Sequence, residues 1–147
     1  MNIIKWGRQY VDYRMGFIGS AVMGGVVFYI NYHATMVHYG SPDITGAVTA
    51  AMKQAVYTFF MGGFVMRLAE RLATTIQNTV LALTLATLIP SGLTLILTYA
   101  MHTLKGTPMP LESTIPTFFA IVPGTFFWGV IRRRKVKMAA EKSGPLV

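Results

Sequence analysis

The sequence predicts an all-α integral membrane protein. Four transmembrane helices form two tandem, parallel-repeat helical hairpins, preceded by a short N-terminal interfacial helix. Three observations predict it. Hydrophobic residues make up 53% of the 147-residue chain and charged residues only 12%, about half the charged share of a soluble domain. No Asp, Glu, Lys or Arg occurs between Arg14 and Asp43 or between Arg71 and Lys105, and each stretch has room for the roughly 20 apolar residues that cross a bilayer as a helix. Finally, the chain repeats itself. Thr58-Phe59-Phe60-Met61-Gly62 returns as Thr125-Phe126-Phe127-Trp128-Gly129, 67 positions on, and nine residues after each threonine stands an arginine, Arg67 or Arg134.

Residues 1–14 mix aromatic and basic side chains. Ile3, Ile4, Tyr10 and Val11 can share one helical face with Lys5, Arg8 and Asp12 largely away from it, the pattern of a helix lying on the bilayer. No small-residue cleavage site follows cleanly, so the first span is expected to be retained. That span covers about 15–32. Gly16, Ser20 and Gly24 recur every four residues and line one face, where small side chains let two helix backbones approach; Asn31 continues that face near the outer end. The turn-rich segment Tyr39-Gly40-Ser41-Pro42-Asp43 lies in the loop 33–45.

The second span covers about 45–66. Thr49, Lys53 and Tyr57 form one polar stripe, with Gln54 and Thr58 beside it. Arg67, Glu70 and Arg71 mark its far boundary, and a connector over 72–79 leads to the third span, about 80–99. There Thr84, Thr87, Ser91, Thr94 and Thr98 alternate by three and four, a hydroxyl stripe along one face. Pro90 frees the carbonyl of Ala86, which in lipid must find a partner. The stripe's hydroxyls can also bond their own backbone. A second loop, 101–112, contains Gly106-Thr107-Pro108, answering Gly40-Ser41-Pro42. The fourth span, about 113–131, contains Pro116 and Pro123-Gly124; the latter pair should kink it. A basic run, Arg132 to Lys137, follows, and residues 138–147 are expected to be loosely ordered.

Charge sets the topology. Eleven Lys and Arg flank one side of four spans: Lys5, Arg8, Arg14, Arg67, Arg71, Arg132, Arg133, Arg134, Lys135, Lys137 and Lys142. The other side has only Lys105. The positive-inside rule therefore puts both termini in the cytoplasm, and a bacterial inner membrane is the expected location. The net charge of +8 sits at the ends of apolar segments, so it argues against nucleic acid, which needs a solvated basic face. Arg67, Arg71, Arg132, Arg133 and Arg134 form a rim suited to anionic lipid headgroups.

The repeat extends beyond one motif. Met23-Gly24-Gly25 aligns with Pro90-Ser91-Gly92, Tyr32 with Tyr99, and Thr45 with Glu112. Each half begins and ends inside, so the halves are parallel: 15–79 and 80–137. Lys53 aligns with Ala120 and has no counterpart. It lies ~12 Å of helix below Thr45. Such a lysine either snorkels outward or faces the interior as a functional cation. No carboxylate lies within a span, so the pattern suits an anion: an acidic solute, a lipid phosphate or a partner's carboxylate. Lys53, Gln54, Tyr57, Thr49, Asn31, Ser91 and Thr94 are the candidate ligand-binding residues.

Catalysis is not expected, because no Ser/His/Asp set, phosphate loop or metal motif occurs. The chain has no cysteine, and His33, His38 and Asp43 fall short of a convincing zinc set; no cofactor is expected. The layout of tandem two-helix units resembles the bacterial transmembrane-pair architecture of small efflux proteins. That family's acidic and histidine motifs are absent, so neither its activity nor its residues carry over. Two functions remain. One is a small transporter or channel-like protein for an anionic or amphipathic ligand, oligomeric because four short helices enclose little space. The other is a non-catalytic accessory subunit packed against partner helices and anionic lipid.

Overall fold

Polar side chains start three of the long helices, and a glycine closes one of them. The computed structural model describes residues 3–104 and 110–142; Lys105 and Gly106-Thr107-Pro108 lie outside the described residues, as do 143–147. The described residues form five helices and no strand: α1 (Ile3–Tyr10), α2 (Tyr13–Tyr39), α3 (Ile44–Thr75), α4 (Thr79–Leu104) and α5 (Pro110–Lys142). Asp12 caps α2, its carboxylate accepting from the Met15 N–H at 3.0 Å. Asp43 accepts from the Gly46 N–H at 2.8 Å at the start of α3. Asn78 accepts from the Leu81 N–H at 3.1 Å beside the start of α4. Each satisfies a donor that the first helical turn leaves orphaned. Gly40 ends α2 at φ 69°, its N–H donating to the Met36 carbonyl, a left-handed cap that glycine adopts at little steric cost.

The helices are longer than the apolar stretches that announce them. α2 runs on through Tyr39, into the segment expected as loop. α5 reaches Lys142, through the first five of the residues 138–147 expected to be loosely ordered. The reason is local: Arg132 to Lys142 contains no Gly or Pro and is rich in Lys, Arg, Met, Ala and Glu, which favour helix. At 32 and 33 residues, α3 and α5 exceed the roughly 20 residues that a hydrocarbon core needs. By length and composition, two of the described helices can cross a membrane, not four: α2, and α4 through Met101. Lys53 and Gln54 dilute α3, and threonines, prolines and the basic run dilute α5.

The chain is built of two units, Met1–Phe64 and Val65–Val147, that part inside α3. In the first, α2 and the start of α3 are antiparallel and approach through glycine. A Cβ added at Gly16 would lie 2.5 Å from the Phe59 carbonyl oxygen, and one at Gly24 would lie 3.4 Å from that of Ala51. Tyr13 stacks on Phe59 at 5.9 Å between ring centroids. The chain before α2 is tied down as well, with the Asp12 N–H donating to the Gly63 carbonyl at 2.9 Å.

The second unit packs the end of α3 with α4 and α5 through small side chains. Ala69, Ala73, Ala82 and Ala86 are fully buried, and a Cβ on Gly129 would meet Ala73 and Ala86 at 3.5 and 3.6 Å. Through Ala73, the end of α3 packs against α5. In the hydroxyl stripe, Thr87 and Thr94 bond the Leu83 and Pro90 carbonyls of their own helix, each at 2.8 Å. Ser91 reaches across, to the buried Thr125 hydroxyl at 3.0 Å. α5 continues unbroken through Pro123.

Candidate functional site

The glycine contacts orient α3 and so decide where Lys53 points. Ala51, Ala55, Thr58 and Phe59 meet α2. At about 100° per residue, Lys53 and Tyr57 lie on the opposite side of α3, each about 160° from Ala55. Lys53 and Thr49 are exposed and Tyr57 is half-buried, with Met52, Val56 and Phe60 exposed around them. The stripe Thr49, Lys53 and Tyr57 is thus an outward face of the first unit and not part of the contact between α2 and α3. Gln54 turns aside and donates its amide to the Thr58 hydroxyl at 3.0 Å.

Among the other candidate residues, Asn31 lies away from that face within the first unit, and Ser91 and Thr94 belong to the second. The pairings Gly16 with Phe59 and Gly24 with Ala51 and Ala55 set the hairpin register and put Asn31 level with the first turn of α3. That is about 12 Å along the axis from Lys53. Asn31 donates its amide to the Val27 carbonyl of its own helix at 2.8 Å. Ser91 and Thr94 are bonded to Thr125 and Pro90. A shallow apolar groove lined by Phe17, Ser20, Ala21, Ala55, Val56 and Phe59 opens between α2 and α3; the lysine is not among its lining residues.

The basic rim has half-buried members and exposed ones. Glu70, about seven-eighths buried, pairs with Arg67 at 3.0 Å and with Arg132 of α5. The Arg132 guanidinium also lies 5.4 Å above the Trp128 ring, within cation–π range. Arg133 donates to the Ala73 and Ile76 carbonyls at 2.6 and 2.7 Å, to the Gln77 carbonyl, and to the Thr79 hydroxyl at 3.1 Å. It therefore caps the end of α3, where helical carbonyls lack partners and the helix dipole favours a cation. Arg71 and Arg134 are exposed. The i,i+3 spacing of Arg67 and Glu70 is visible in the sequence. The link from Glu70 to Arg132 is not, because 62 residues separate them.

Glu70→Gln should therefore destabilise the second unit by about 2 kcal/mol, since it leaves two partly buried guanidiniums without their shared anion. A detergent melt of Glu70→Gln and of the swap Glu70→Arg/Arg132→Glu checks this. The swap should recover part of the loss, and equal stability of Glu70→Gln and the unaltered protein would show that the pairs contribute nothing.

Among the described residues no three of His, Cys, Asp or Glu gather, and the His33 ring lies tilted against the Tyr29 ring, with centroids 4.2 Å apart. The class these features define is an all-helical protein with two helices fit to cross a membrane, an outward lysine face, and an arginine-rich helix end locked by one glutamate. No protein-family model, curated protein or solved structure matches this chain.

Proposed function

We propose that this chain is a polytopic membrane protein of four spans in two tandem hairpins, serving as a non-catalytic subunit of a larger membrane assembly. The carrying observation is the outward Lys53 face: α3 turns its mid-helix lysine away from α2 and leaves it exposed. An uncovered charge against lipid costs several kcal/mol.

Four spans are supported by what the surface exposes. Phe17 is 69% and Phe119 70% exposed, with Tyr29, Leu88 and Phe127 close behind; a water-facing surface this apolar would aggregate. The tandem repeat is supported by the starts of α2 and α4, 66 residues apart at Tyr13 and Thr79. Equivalent positions also behave alike: Gly24 and its counterpart Ser91 are both buried, whereas an added Cβ at Gly25 or at its counterpart Gly92 would meet nothing within 4 Å.

The cysteine-free chain suits single-cysteine mapping of this topology. A cysteine at Ser41 should react with an impermeant maleimide from outside the cell, and one at Asn78 only after lysis. Labelling of both from outside would sink the arrangement with cytoplasmic termini. The assembly is tested by mild solubilisation from native membranes. One stoichiometric partner should remain bound, and a homogeneous self-assembly that conducts ions would refute the subunit role. Transport of an anionic or amphipathic ligand is the second reading. It is favoured by the polar line Thr49, Lys53 and Tyr57, which could border a pathway between subunits.

A further inference from the structure

From the placement of Lys53 we infer that the outward face of α3 docks a partner's transmembrane helix carrying an Asp or Glu in mid-membrane, which pairs with Lys53. This rests on the subunit reading above and names the chemistry of its partner. Lys53 is nine residues into α3 from Ile44 and fourteen before Arg67, so it lies about 14 Å from one end and about 21 Å from the other. Snorkelling covers only part of either distance. Ionisable groups at such depth pair with one another or with backbone carbonyls.

The chain's own acids all stand at or near helix ends. Its five carboxylates are Asp12, Asp43, Glu70, Glu112 and Glu141. Asp12 and Asp43 stand before α2 and α3. Glu112 and Glu141 lie in the first and last turns of α5, and Glu70 is taken by Arg67 and Arg132. A second copy presenting the same face would bring a second lysine and no acid, a like-charge contact that costs where a pair would stabilise. The occupant is therefore a different chain. Met52, Val56 and Phe60, exposed around Lys53, supply the apolar packing that a helix partner needs, and Thr49 and Tyr57 offer hydroxyls to the second carboxylate oxygen.

The test uses the full chain in phosphatidylcholine vesicles, acceptor-labelled at Ser41→Cys. The probes are donor-labelled leucine–alanine helices of about 23 residues with one central Glu or Gln. The Glu helix should reach half-maximal energy transfer at about tenfold lower density than the Gln helix, a coupling of about 1.4 kcal/mol. Lys53→Met should abolish the difference and Lys53→Arg should keep it, while Lys53→Glu should prefer a helix with a central Lys. Equal binding of the Glu and Gln helices, or a preference that survives Lys53→Met, overturns the inference. So does loss of the preference when phosphatidylglycerol replaces a fifth of the lipid, since the lysine would then be a headgroup ligand. Failure here with a stoichiometric complex still recovered from native membranes rejects the carboxylate alone. Absence of any such complex rejects the subunit reading itself.

Discussion

Arg133→Met should lower stability by about 3 kcal/mol, the largest loss expected from removing any one polar side chain. The guanidinium serves four acceptors at once. Three are the carbonyls of Ala73, Ile76 and Gln77, and the fourth is the Thr79 hydroxyl, the next helix's first residue. Without it, the end of α3 and the turn into α4 lose their donors together, and charge-assisted bonds of this kind are worth ~1.5–3 kcal/mol each, though not additively. Arg133→Lys should recover little, because a compact ammonium cannot span acceptors that a planar fork reaches together. Detergent melts of both variants, with hydrogen exchange over 73–79, check this. Faster exchange should be confined to that turn in the milder variant. Full recovery by lysine would mean that charge near the helix end suffices and the fork geometry contributes nothing.

Gly16→Ala should cost about 2–3 kcal/mol, although alanine favours helix over glycine. The added methyl would stand 2.5 Å from the Phe59 carbonyl oxygen, and the obstacle is backbone that cannot rotate aside. The two helices must separate, and Tyr13 loses its seat on Phe59. Gly25→Ala is the matched control, since nothing lies within 4 Å of its added Cβ; it should be neutral or stabilise by ~0.5–1 kcal/mol. Thermal melts of the two variants in one detergent should therefore move in opposite directions. If they move together, helix propensity governs and the close approach of α2 to α3 does not.

The candidate residues show why spacing along one helix is only half of a site. Thr49, Lys53 and Tyr57 share a face because four-residue spacing on a helix requires it, and that was legible before any tertiary contact was known. Asn31 joins them as a candidate from the face of the first span that carries Gly16, Ser20 and Gly24. The antiparallel register separates it by about two helical turns, and its amide turns to its own backbone, as isolated polar groups in apolar helices do. Arg132 and Arg133 read as two members of a charge run. Their engaged roles come from α3 residues some 60 positions away, Glu70 and Ala73, which no local pattern reports.

Composition and periodicity by themselves determined the helical class, the places where helices start and the clustering of charge at their ends. Those depend on propensity, caps and solvation, which act within a few residues. Tertiary structure alone decided which way each helix turns. Glycine contacts on one side of α3 put Lys53 on the other, exposed. The packing of small residues around Ala73 and Gly129 brought Arg133 onto the end of α3. Both outcomes follow from close approach between distant segments, where the volume of a methyl group sets what can pack and therefore which charges are covered.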